Sequence, residues 1–87
     1  MKRIEIIKIF KALGNERRFF IVKHILVRKE LTVSQISGLI NLSFKSTSRH
    51  LLILKNANLL SSRQTDLNNF YSINHEYIKE FIKFFNS

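Results

Sequence analysis

Lys45, Ser46, Ser48 and Arg49 crowd into one short stretch of the chain. An arginine can pair bidentately with guanine, and lysine and serine can reach phosphate oxygens or base edges. Arg63 and Gln64 further along, and Arg17 and Arg18 before, carry related groups. Other chemistries have little to work with. The chain has no cysteine, which excludes disulfides, zinc ribbons, thiolate metal sensing and a cysteine nucleophile. No nucleophile stands beside a base, no carboxylates pair in a cleft-like context, and there is no glycine-rich phosphate loop. Glu76 and Glu80 lie one helical turn apart, the ordinary pattern of a solvated face. A binding protein is expected, not an enzyme, with no cofactor and no bound metal.

The charge agrees with a polyanionic partner. There are 15 basic and 6 acidic residues among 87, a net charge of +9. Between Glu30 and Asp66 there is no acidic residue, although Lys45, Arg49, Lys55 and Arg63 all fall there. A bland solvated surface interleaves both signs. Nucleic acid is the first candidate partner and anionic lipid the second. Apolar windows are short or broken by Lys8 and Lys11, so no membrane span is expected. Met1-Lys2-Arg3 has the charge of a signal peptide, but Glu5, Lys8 and Lys11 interrupt the apolar run and no small-residue cleavage site follows. The expectation is a cytoplasmic protein.

These residues need elements to position them. The length allows a single domain over residues 1–87, with a thin core that buries roughly 60–65% of the unfolded surface. Two glycines and no proline favour helices over a sandwich or barrel. Ile4, Ile6, Ile7, Phe10 and Leu13 recur at helical spacing, and Gly14 suits a left-handed helix end. Asn15 can cap a second helix carrying Phe19, Phe20, Ile21, Val22, Ile25 and Leu26, which ends near Lys29 or Glu30. Leu31–Val33 reads as short and extended. Thr32 or Ser34 can cap a third helix through Ile36, Leu39 and Ile40, with Asn41 in the turn. Ser43 caps a fourth helix, with Thr47, Leu51, Leu54 and Ala57 on its core face. Lys45, Ser46, Ser48, Arg49 and Asn56 lie opposite. Asn58 suits the helix end. Leu59–Gln64 and Asn69–Ile73 read as one hairpin, with Tyr71 and Ile73 on one face. His75–Asn86 forms the last helix, with Ile78, Phe81, Ile82 and Phe85 on one stripe. The class is mainly α with a small β part, in the order helix-helix-helix-helix-hairpin-helix.

Two helices joined by a tight turn and followed by a hairpin make the winged helix-turn-helix pattern, whose second helix can enter the major groove. At this point Leu31-Thr32-Val33-Ser34-Gln35-Ile36, Leu42-Ser43, Ser48-Arg49-His50-Leu51-Leu52-Ile53-Leu54, Ala57-Asn58-Leu59-Leu60 and Tyr71-Ser72-Ile73 resemble the ArsR/SmtB family of small dimeric transcriptional repressors. Lys11-Ala12-Leu13-Gly14-Asn15-Glu16-Arg17-Arg18 resembles that family's entry into its second helix. The resemblance runs from about Phe10 to Ile73 and implies a winged-helix homodimer whose fourth helix reads DNA. The departures are specific. Thr32 and Ser34 stand in the stretch where many members carry metal-sensing cysteines, and neither is a soft-metal ligand. On the last helix only His75, Glu76 and Glu80 are available, with no second histidine. Asp66, Asn68 and Asn69 occupy the wing tip where basic residues are common, which argues against deep minor-groove insertion. Leu52 and Ile53 make the fourth helix unusually apolar.

The resulting expectation is a sequence-specific double-stranded DNA-binding regulator, a homodimeric repressor. Lys45, Ser46, Ser48 and Arg49 serve the major groove, Arg63 and Gln64 the wing, and Arg17 or Arg18 the backbone. His50 either contacts DNA or packs as a hydrogen-bonded residue; Arg17 and Arg18 either touch phosphate or form a solvated face. His24 reads as structural, and His75 as the start of the last helix. Apolar residues on more than one face of the first and last helices, Ile4, Ile7, Tyr77, Ile78, Phe81, Phe84 and Phe85, point to a partner subunit. The rival classes are a non-specific nucleic-acid architectural protein and a protein-interaction module, the latter favoured by Leu52 and Ile53.

Overall fold

Helix α1 (Arg3–Leu13) stops at Gly14, and Asn15 starts α2 (Glu16–Arg28) by accepting a hydrogen bond from the Arg18 backbone N–H at 3.1 Å. In this computed structural model, which describes residues 2–86 with side chains to Lys83, Gly14 is not left-handed. Its φ is −74°, and a Cβ there would make a tight contact, 3.1 Å from the Phe10 carbonyl oxygen. A positive φ comes one helix later, at Lys29 (φ 77°, ψ −53°), where α2 ends.

Beyond Lys29 the chain forms β1 (Glu30–Thr32), then α3 (Val33–Ile40), α4 (Phe44–Asn56), β2 (Leu60–Gln64), β3 (Asn69–Ile73) and α5 (His75–Asn86). The expected two-stranded hairpin is a three-stranded antiparallel sheet, ordered β1-β3-β2. The short Leu31 segment pairs with β3, setting Leu31 opposite Tyr71, while Leu60 lies opposite Ile73 on the other side. Three residues carry too little alternation to announce a strand; its pairing with β3 makes it one. The hairpin turn closes through Thr65, whose N–H donates to the Asn68 carbonyl at 2.8 Å.

One core joins every element. Ile9, Ile21, Ile25, Ile36, Leu51 and Leu54 are fully buried, and Leu59, Leu60, Tyr71 and Ile73 close it from the sheet. Each such aliphatic side chain contributes at most about 1.5–3 kcal/mol. Which apolar residues enter the core differs in part from their spacing. On α1 the buried set is Ile6, Ile9 and Ala12, while Ile4, Ile7 and Phe10 face solvent. On α2 only Ile21 and Ile25 are buried, with Val22 half-buried; Phe19, Phe20 and Leu26 are exposed. Both helices are packed on one side only, and their apolar residues exceed what that side can hold. Tyr77, Ile78 and Phe81 rest half-buried against the core of their own chain, and Ile82 is exposed. The side chains of Phe84 and Phe85 lie outside the described residues. No helix of the described residues is long and apolar enough to cross a membrane.

Candidate nucleic-acid interface

The turn between α3 and α4 is built by local hydrogen bonds. Thr32 and Gln35 form a reciprocal capping box at the start of α3: the Gln35 N–H donates to Thr32 Oγ1 at 3.2 Å and the Thr32 N–H to Gln35 Oε1 at 2.9 Å. Helix α3 ends at Asn41, left-handed at φ 53°. The Ser37 hydroxyl donates to the Leu42 carbonyl, and the Leu42 N–H returns to the Ser37 carbonyl at 3.1 Å. Ser43 then caps α4 by accepting from the Ser46 N–H at 3.1 Å. At the far end Asn58 (φ 63°) closes a Schellman motif, with its N–H on the Lys55 carbonyl and the Leu59 N–H on the Leu54 carbonyl. Both ends of α4 are therefore fixed by the sequence.

Helix α4 presents four distinct sides. Thr47, Leu51, Leu54 and Ala57 are buried, as their spacing predicts. Opposite them lies an exposed stripe of Lys45, Arg49, Leu52 and Asn56. The flank toward the hairpin carries Phe44, the half-buried Ser48, and Lys55, whose Nζ donates to Ser62 Oγ of β2 at 2.6 Å. The flank toward α1 and α2 carries Ser46, His50 and Ile53. Ile53 lines a groove with Lys8, Lys11 and Arg18.

Arg18 and His50 meet across this second flank. The Arg18 Nε donates to the Ala12 carbonyl at 2.7 Å and one terminal nitrogen lies 3.2 Å from His50 Nδ1. His50, read from the sequence as either a packed residue or a DNA contact, is half-buried and hydrogen-bonded to Arg18 through Nδ1. Arg18 has partners inside the chain instead of a solvated position. Arg17 is exposed one residue earlier. Burial lowers the His50 pKa from its ordinary 6.5, and the charges of Arg18 and Arg17 lower it further.

On the hairpin, Arg63 reaches across to β1. Its Nη2 is 2.9 Å from Glu30 Oε1, and the guanidinium lies 4.6 Å from the Phe70 ring centre. The hydrogen bond and charge of Glu30 hold the Arg63 proton more firmly. Gln64 is exposed at the end of β2, and Leu67 at the turn is 91% exposed. His24 is on the surface side of α2, hydrogen-bonded to Arg28 at 2.9 Å. Among the described residues no cluster of three or more potential ligands could hold a metal ion. Glu30 does not stand out in the sequence, because its place beside Arg63 depends on β1 pairing, whereas Phe44 is legible as an aromatic off the core stripe of α4.

The family model described as bacterial regulatory protein, arsR family, matches residues 15–62, from the cap of α2 into β2. An uncharacterized HTH-type transcriptional regulator of Methanocaldococcus jannaschii, MJ1325, is 34% identical over 76 residues, 87% of this chain and 85% of the relative. A cadmium resistance transcriptional regulatory protein CadC homolog of Staphylococcus aureus is 29% identical over 92% of this chain, which spans 66% of that relative's length. Among solved structures, HlyU of Vibrio cholerae superposes with a TM-score of 0.80 at 29% identity, covering 98% of this chain and 94% of the other.

Proposed function

The chain belongs to the arsR family of bacterial regulatory proteins, and from that premise we propose that it is a homodimeric, sequence-specific repressor that reads double-stranded DNA with α4. The observation that carries this reading is the exposed stripe of α4, with Lys45 and Arg49 at its start on a segment without a carboxylate. The major groove is wide enough for such a helix, and the first residues of the second helix in a helix-turn-helix contact base edges. Arg49 is the base reader, and Lys45 with Ser46 and Ser48 serves phosphates and neighbouring edges. Arg17 contributes backbone charge. Arg18 acts at one remove, holding His50 and thereby the angle of α4 against α2. Gln64 is the wing's DNA contact, and Arg63 supplies charge there partly offset by Glu30. A cytoplasmic location goes with this reading.

Dimerisation uses α1 and α5. The Phe10 and Phe81 rings meet edge to face at 5.8 Å and join the two helices. Ile4 and Ile7 of α1 and Ile82 of α5 are further exposed apolar residues of the same two helices, Ile4 at 67%. Tyr77, Ile78 and Phe81 pack against the core from α5. A two-fold dimer would space two copies of α4 for successive major grooves.

Selection of bound duplexes from a randomised pool, followed by the Arg49→Ala variant on the selected site, tests the reading. An enriched site whose binding falls by about 1–3 kcal/mol in the variant supports it. Retention without any enriched sequence would point to an architectural protein. No retention of DNA at all would point to a protein-interaction module.

A further inference from the structure

We propose that Phe44 reads the 5-methyl group of a thymine, so that the target of this protein carries a thymine in each half-site under the start of α4; this rests on the DNA-reading role of α4 given above. Phe44 is the first residue of α4, directly after the Ser43 cap, and it is 59% exposed. Its side chain lines an open cleft with Val33 at the start of α3 and with Gln64 and Leu67 of the hairpin. Nothing in the fold asks for an aromatic there. The core face of α4 is filled by Thr47, Leu51 and Leu54. Phenylalanine is also a middling helix former, and the first helical position favours proline instead.

The chemistry of the groove narrows the partner. Base edges in the major groove present donors and acceptors, and the one apolar group among them is the thymine methyl. A phenyl ring laid on that methyl removes apolar surface from water on both sides. Laid on the polar edge of a guanine or cytosine it would strip water from donors or acceptors and give nothing back. Phe44 therefore selects for thymine and against G·C pairs at one position, while the adjoining Lys45 supplies charge without discrimination.

The test starts from a duplex selected by the intact protein out of a randomised pool. Thymines are replaced one at a time by deoxyuridine, which removes only the methyl group. One thymine per half-site should stand out, its replacement weakening binding roughly three- to tenfold, the scale of one buried methyl or somewhat more. Phe44→Ala, with unchanged helical circular dichroism, should bind the thymine and uracil duplexes equally, and Phe44→Leu should restore part of the preference. Indifference of the parent to every replacement, or an undiminished penalty in Phe44→Ala, would overturn the proposal. If a selected site exists but no methyl matters, this assignment alone fails; if no sequence is selected, the DNA-reading role fails with it.

Discussion

Arg18 and His50 fix each other's chemistry across 3.2 Å. A guanidinium can only donate, so His50 Nδ1 accepts and the ring is neutral, with its proton on Nε2. Because the Arg18 Nε also holds the Ala12 carbonyl, one side chain ties α1, α2 and α4 together at the base of the proposed DNA surface. Burial, then Arg18, then Arg17, lower the His50 pKa below 6.5, so the unfolded chain takes up this proton first as pH falls. The His50 contribution to stability is therefore present above about pH 6.5 and is lost as pH drops from there toward the lower folded value. Urea midpoints measured between about pH 7.5 and about pH 5.5 should show this decline, and His50→Gln should flatten it. An equal slope in the variant would mean that other groups carry it.

Thr47 faces the core at 0% exposure, and its Oγ1 has no hydrogen-bond partner. Leaving a buried hydroxyl unsatisfied costs about 1–3 kcal/mol. Valine has nearly the same shape and no such group. Thr47→Val is expected to raise stability by about 1 kcal/mol in urea unfolding, with DNA binding unchanged. A loss of stability would show that the hydroxyl has a partner in solution.

The helices were legible because their ends are written in single residues. Asn15, Thr32 and Ser43 start helices by side-chain acceptance, and Asn41 and Asn58 end them in the left-handed region. The core stripe of α4 was equally plain, since Thr47, Leu51 and Leu54 repeat at helical spacing. What could not be read depends on distant pairing. Strand β1 exists through β3, and the Arg63–Glu30 pair exists through both, joining residues 33 apart. Arg18 likewise finds His50 only after three helices have packed. Phe19 and Phe20 show the opposite difficulty: an apolar residue type does not say which apolar residues a one-sided helix can bury.

Glu30 offsets Arg63 at the edge of the hairpin. An exposed pair of this kind contributes little to folding. Its removal matters for DNA, because the Arg63 charge is then released to phosphate. Glu30→Gln should leave the thermal midpoint nearly unchanged and steepen the salt dependence of binding by about one unit of slope per protomer. An unchanged slope would place Arg63 away from the DNA.

The chain has no cysteine, and the described residues hold no cluster suited to a metal. Stoichiometric zinc or cadmium should leave DNA affinity unaltered. Calorimetry showing a tight site per dimer, together with release of DNA, would contradict this.

The central claim is that a two-fold dimer lays two copies of α4 into successive major grooves. Hydroxyl-radical footprinting of the intact protein on its selected duplex tests this directly. The prediction is two symmetric protected patches, their centres about 34–36 Å apart along the helix axis or a multiple of it. A single asymmetric patch from a protein that sediments as a monomer, or even protection along the whole duplex, would contradict it.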